Sequence, residues 1–161
     1  MQELWREDIK LPIRYDDTMH MHIVSGDLVL QDSTILHDGL VIEGNLYVNG
    51  DFHCKYRTIV KGSIFITGDY IGYKLSGHGD KVEIGGNVTA TLVEGETVIL
   101  RGSVHSTFLY AFDLSCYDTM RVESSLHVYN DAHFASLAEA KVWTIENLKT
   151  GNIYGITGIN Q

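Results

Sequence analysis

A short motif recurs along this chain, and its recurrence limits the fold more than any other feature of the sequence. The motif is an aliphatic residue, any residue, glycine, a small polar residue, and then two aliphatic or small positions separated by one residue. It reads Val24-Ser-Gly-Asp-Leu-Val-Leu30, Ile42-Glu-Gly-Asn-Leu-Tyr-Val48, Val60-Lys-Gly-Ser-Ile-Phe-Ile66, Ile84-Gly-Gly-Asn-Val-Thr-Ala90 and Leu100-Arg-Gly-Ser-Val-His-Ser106. Two weaker copies, Val122-Glu-Ser-Ser-Leu-His-Val128 and Thr144-Ile-Glu-Asn-Leu-Lys-Thr150, put Ser124 and Glu146 in place of the glycine. From Gly26 onward the copies are 18, 18, 24, 16, 22 and 22 residues apart. Each alternates with period two, a strand signal, and is built from residue types that strands favour. A single such strand cannot bury its apolar face, whereas copies stacked in register make one continuous core.

The expected fold is therefore all-β, a right-handed parallel β-helix of about six to seven coils with capped ends. Seven coils at about 4.8 Å each give a rod on the order of 30 Å long. A left-handed hexapeptide helix fits the intervals of 18 and 24, but 16 and 22 break the hexad, and right-handed winding follows the usual sense of parallel crossovers. Aligned copies place Val24, Ile42, Val60, Ile84, Leu100 and Val122 in one inward ladder. Leu28, Leu46, Ile64, Val88, Val104, Leu126 and Leu148 form a second. The residue after each glycine (Asp27, Asn45, Ser63, Asn87, Ser103, Ser125, Asn147) faces out and suits a stacked hydrogen-bonding ladder.

One domain is expected over 1–161, with an N-terminal cap at 1–19, coils over 20–130 and a last coil and C-terminal cap at 131–161. The first segment contains Trp5, Pro12 and the pair Asp16-Asp17. The second carries Ala135-Ser-Leu-Ala-Glu-Ala140, a short helical candidate, then the alternating tail Ile153-Tyr-Gly-Ile156. The longer intervals read as loops leaving the coil, Asp69 to Asp80 and Phe108 to Asp118. Both mix aromatics with aspartates, the composition of a binding patch. Asp69, Tyr70, Tyr73, Phe112, Asp113, Tyr117 and Asp118 are the candidate partner-binding residues. A second patch follows from the outward column Val29, Tyr47, Phe65, Thr89, His105, His127 and Lys149. In it Tyr47, Phe65, His105 and His127 stand where a solvated wall is expected.

Charge and chemistry narrow the function. With 161 residues, 21 acids, 12 Lys plus Arg and a net charge of −9, the surface repels phosphate backbones and anionic lipid and suits a basic protein. No apolar run is long enough to span a membrane, and the start of the chain has acids in place of an apolar signal core, so a cytoplasmic address is expected. No metal or cofactor is expected. His20 and His22 share a strand face and His105 and His127 would sit in neighbouring coils, but no further ligand has matching spacing. Cys54 and Cys116, roughly 14 Å apart if stacked in one column at 4.8 Å per coil, are read as reduced thiols. Gly77-His-Gly79 and Gly85-Gly86 lack the Lys-Ser/Thr of a phosphate loop. Asp51 and Asp69, in adjacent coils, are the nearest approach to a carboxylate pair for glycoside cleavage. The chain reads as non-catalytic.

Glu43-Gly-Asn-Leu-Tyr-Val-Asn-Gly50 and Lys61-Gly-Ser-Ile-Phe-Ile-Thr-Gly68 resemble the strand motif of bactofilins, the polymer-forming cytoskeletal β-helices, over about Val24 to Val128. That resemblance implies a non-enzymatic protein that self-associates end to end. At the level of composition the chain is also similar to solitary β-helical immunity proteins of bacterial polymorphic toxin systems. This implies an anionic inhibitor that binds and neutralises a basic, nuclease-like toxin domain. The expected function is such protein binding, with bactofilin-like structural self-association as the alternative. A homodimer is compatible with either.

Overall fold

The computed structural model describes residues 2–4, 13–16, 18, 20–155 and 157–160. They form a β-solenoid of stacked parallel coils, about seven turns, with no helix. The early coils are made of short strands: β1 (Gln2–Leu4), β2 (Ile13–Asp16), β3 (Met21–Val24), β4 (Leu28–Leu30), β5 (Thr34–Leu36), β6 (Gly39–Ile42) and β7 (Leu46–Val48). Next come β8 (Phe52–Val60), β9 (Ile64–Ile66), β10 (Tyr70–Gly77) and β11 (Lys81–Ile84). The later coils are long strands that bend round corners: β12 (Val88–Leu100), β13 (Val104–Cys116), β14 (Met120–Phe134) and β15 (Ala138–Thr150). The short β16 (Ile153–Tyr154) and β17 (Thr157–Asn160) end the described chain.

Three sheet faces result. Face I stacks β3, β6, the end of β8, the end of β10 and the middle of β12 to β15. Face II stacks β4, β7, β9, β11 and the ends of β12 to β15. Face III stacks β1, β5 and the starts of β8, β10 and β12 to β15, then β16. All these pairs are parallel. The one antiparallel pair among the described strands is β2 on β3, which covers the free edge where face I begins. β1 covers β5 in the same way on face III, and β17 covers β15 on face I at the other end.

Inward side chains from all three faces fill one core, in which Val24, Ile42, Leu46, Val60, Ile64, Ile84, Leu100 and Ile145 are 0% exposed. Burying each such side chain stabilises the fold by about 1.5–3 kcal/mol before ordering costs. Every residue assigned inward from the motif is in or against this core. Their columns differ from the expected ones. Val24, Ile42 and Val60 stack on face I, but Ile84 and Leu100 stack with Ile66 on face II, and Val122 stacks with Ser106 and Ala140 on face III. Likewise Val88 and Val104 belong to face III, Leu126 to face I, and the face II column runs Leu28, Leu46, Ile64, Val82, Val98, Leu114, Ala132, Leu148. The glycine motif changes corner along the chain. The interval of 24, which fits a hexapeptide pattern, and that of 22, which breaks it, are therefore not coil lengths.

Two corners carry glycine columns. At corner I/II the amides of Gly44, Gly62 and Gly79 donate to the carbonyls of Gly26, Gly44 and Gly62; at corner II/III those of Gly68 and Gly86 donate to Gly50 and Gly68. Beside each column runs the expected polar ladder, in two copies. Asp27 Oδ1 accepts from Asn45 N and Asn45 Oδ1 from Ser63 N, both at 2.7 Å. At the other corner Asp51 Oδ1 accepts from Asp69 N (2.8 Å), Asp69 Oδ1 from Asn87 N (2.7 Å) and Asn87 Oδ1 from Ser103 N (3.0 Å). The side-chain oxygen of one coil occupies the space a Cβ would need on the glycine above: Asp27 below Gly44, Asn45 below Gly62, Asp69 below Gly86. Glycine and its polar neighbour are thus a single device that satisfies backbone donors at a tight turn.

Ala135 to Ala140 is not helical. Residues 135–137 turn corner II/III, and Ala138 and Ala140 point into the core at the start of β15. Trp5, Pro12, Asp17 and Ile156 lie outside the described residues. Among the described residues no helix is long and apolar enough to cross a membrane.

Candidate functional site

The segments Asp69 to Asp80 and Phe108 to Asp118 do not leave the coil. They are β10, β13 and the corners beside them, paired to the coils above and below except where the strands bend at the corners. The expected partner-binding residues are consequently spread over all three corners. Tyr70 is 0% exposed, its ring packed against Phe52 at 6.2 Å between centroids, and belongs to the core. Asp69 is committed to the corner II/III ladder, and so is Asp51. Tyr73 is half exposed at corner III/I, where it lines a cavity of about 360 Å³ with Met21, Tyr56 and Arg57. Tyr117 and Asp118 lie exposed at corner II/III. The Arg101 guanidinium sits 5.3 Å over the Tyr117 ring, and Asp118 Oδ1 accepts from Thr119 N. Phe112 and Asp113 share corner I/II, where Asp113 Oδ1 accepts from Asp131 N (3.0 Å) and Asn130 Nδ2 (2.9 Å).

The second patch is also divided. Tyr47 and Phe65 stack on face II, 5.4 Å apart and nearly parallel, beside exposed Val29. His105 is on face III, its Nε2 2.7 Å from Glu123 Oε1, and His127 is on face I, stacked on Tyr129 at 4.0 Å. Of the early histidines, His20 is exposed whereas His22 is buried, 3.5 Å from Asp38 Oδ2. Among the described residues, no three His, Cys, Asp or Glu side chains come together as a metal site. Cys54 ends a face III strand and Cys116 a face II strand, so they do not share a column, and both are free, buried thiols. Burial pushes both upward in pKa, Cys116 to about 11, which keeps them protonated and unreactive.

What the fold does bring together is a groove of about 380 Å³ along corner I/II. Two outward columns form its sides, offset by two residues along each strand. One is Ser76, Glu94 and Tyr110 on face I; the other is His78, Glu96, Phe112 and Tyr129 at the corner. Between them the chain has Gly77, Gly95 and Ala111, so the floor is nearly bare backbone. Glycine is required there: a Cβ on Gly77 or Gly95 would come within 2.6 or 2.7 Å of Val82 Cγ2, which reaches across from face II. Phe112 and Tyr129 are 43% and 56% exposed, a high value for aromatic side chains on a sheet.

The polar end of the groove is fixed by a short relay. Ser76 Oγ donates to Glu94 Oε1 at 2.7 Å and lies 3.2 Å from His78 Nε2, while Lys74 Nζ is 3.6 Å from Glu94 Oε1. These are the residue types of a hydrolytic triad in the wrong order. The serine, not the histidine, stands in the middle, and at 1% exposure its oxygen is closed to a substrate. The relay instead holds the Glu94 carboxylate in place. Glu96 is exposed and has no cationic partner among the described residues. Together these groups present negative charge against aromatic faces, an arrangement that binds cations.

Of this groove, sequence reasoning found only Phe112. Its signal is a pair of polar or aromatic residues two apart flanking a small residue: Ser76/His78, Glu94/Glu96, Tyr110/Phe112. That pairing recurs once per coil and becomes visible only when the coil is measured from pairing rather than from the glycine motif. Compared with protein families, curated proteins and solved structures, the chain finds no match.

Proposed function

We propose that this chain is a non-catalytic protein-binding β-solenoid that holds a basic partner at the corner I/II groove, most concretely as an immunity-type inhibitor of a cationic toxin domain. The observation that carries the reading is the groove itself, with exposed Phe112 and Tyr129 beside Glu94 and Glu96. Exposed aromatics supply buried anchors once covered, and a net charge of −9 accelerates encounter with a positively charged surface. The same charge works against nucleic acid and anionic membrane as partners. Action in the cytoplasm, where a nuclease-like toxin would do its damage, goes with this reading.

Co-expression tests it. The reading frame next to this gene is expected to encode a toxin domain of net positive charge that arrests growth alone and is relieved by this chain. Glu96→Lys with Phe112→Ala changes two exposed side chains and should abolish relief with an unchanged circular dichroism spectrum. A neighbour without such a domain, or full protection by the double variant, overturns the reading.

Self-association of bactofilin type is the second reading. In its favour, β4 pairs with β7 alone among the described strands and exposes Val29 (54%) beside that edge. Sedimentation velocity at rising concentration should then show growing oligomers; a monomer throughout dismisses it.

A further inference from the structure

We infer that the corner I/II groove receives an arginine side chain of the partner, not merely positive charge; the inference rests on the docking reading above and specifies its chemistry. Lys74 already offsets Glu94, so the uncompensated negative charge is that of Glu96, on the same column as Phe112. A cation lying against Glu96 therefore also lies against an aromatic face. The bare floor at Gly95 and Ala111 leaves a slot for a long, flat group to lie along the backbone. A guanidinium is planar, weakly hydrated and able to stack on a ring while bonding a carboxylate in its plane. An ammonium is a compact, strongly hydrated charge that gains less from either.

The molecule holds one guanidinium in this manner already. Arg101 donates from Nη2 to Glu83 Oε1 at 2.8 Å and lies over Tyr117 at 5.3 Å, carboxylate on one side and ring on the other. Arg101 reaches those two groups from the coil between them; Glu96 and Phe112 offer the same two group types from adjacent coils, with no coil between to supply an arginine, so theirs would come from outside the chain.

The test is an NMR titration of the whole ¹⁵N-labelled chain with acetyl-Gly-Arg-Gly-amide and, separately, acetyl-Gly-Lys-Gly-amide. The arginine peptide should shift the amides of Gly95, Glu96, Ala111 and Phe112 and bind about threefold or more tightly than the lysine peptide, the scale of a cation against a ring at an exposed site. Glu96→Gln and Phe112→Ala should each weaken it about threefold and erase most of the difference between peptides. Equal binding of the two peptides at the groove overturns the arginine inference and leaves docking of a basic partner standing. Shifts from neither peptide at those amides overturn both.

Discussion

Tyr70→Phe should make this protein more stable, although it removes a polar group from the middle of a well-packed interior. The Tyr70 phenol is 0% exposed, and its oxygen has no hydrogen-bond partner in the protein; Thr58 Oγ1, also fully buried, is in the same position. Thr58 acts on the phenol as a weak hydrogen bond, opposing part of the burial effect that raises it above the ordinary tyrosine range, but the pair falls short of good hydrogen-bond geometry. In the unfolded chain each hydroxyl is hydrated, so folding forfeits that hydration without return, at a cost of about 1–3 kcal/mol apiece. Phenylalanine keeps the ring against Phe52 and leaves the bare backbone of Gly72, which packs on the Tyr70 hydroxyl, room to relax. The expected gain is about 1–2 kcal/mol, a rise in Tm of about 2–8 °C for a chain of this size. Thr58→Val should act in the same direction, and urea unfolding of wild type, both singles and the double should give additive gains. If each single loses about 1 kcal/mol and the double recovers it, the hydroxyls satisfy one another and the reasoning is refuted.

The ladder geometry predicts unequal glycines. Gly86→Ala forces a Cβ onto Asp69 Oδ1 and within 2.7 Å of the Gly68 carbonyl carbon, and should cost about 2–4 kcal/mol in urea unfolding. Gly26→Ala meets nothing within 4 Å and should cost only its positive φ of 101°, about 1–2 kcal/mol, so equal losses would contradict the ladder account. Alkali should unfold the protein early. Cys116, raised from 9.0 to about 11 by burial, ionises first in the unfolded chain, so its contribution is complete below pH 9 and fades as pH rises to 11. The loss from this group is at most about 2–3 kcal/mol, and Cys116→Ala should flatten the fall in urea midpoint between pH 9 and 11 by that amount. Both thiols should react with an aromatic disulfide reagent only at the rate of unfolding; fast labelling of either at pH 8 would place it at the surface.

The stacked-coil fold was legible because period-two alternation assigns the inward side without knowledge of pairing: every inward residue chosen from the motif lies in the core or packs against it. Register was not legible in the same way. The Gly-Asx device serves two corners, so Gly62 and Gly86 look like successive copies of one position when they belong to different columns, with Gly79 and Gly68 as their true neighbours. That single misassignment turned β10 and β13 into loops and placed Tyr70, which follows an aspartate in the ladder, on the surface. Parity contains the correction: Tyr70 falls on the inward side of the strand that starts with it, two residues before Gly72.

The groove follows from a change in coil length that the motif conceals. Leu28, Leu46, Ile64 and Val82 succeed one another at 18 residues, whereas Val82, Val98 and Leu114 do so at 16. At corner I/II the glycine ladder stops at Gly79, and in the next coil β12 runs straight round the bend through Gly95. With the turn removed, the walls draw together inside, Val82 reaches the backbone opposite, and only glycine or alanine fits between the two outward columns. The outward side chains on either side of the bend gain no cover from the shortened corner, so Tyr110, Phe112 and Tyr129 line an open channel beside Glu94 and Glu96. A β-solenoid with uniform 18-residue coils would repeat the polar ladder along this corner and leave no such channel. The departure from regularity is thus what creates the channel on which the proposed docking depends.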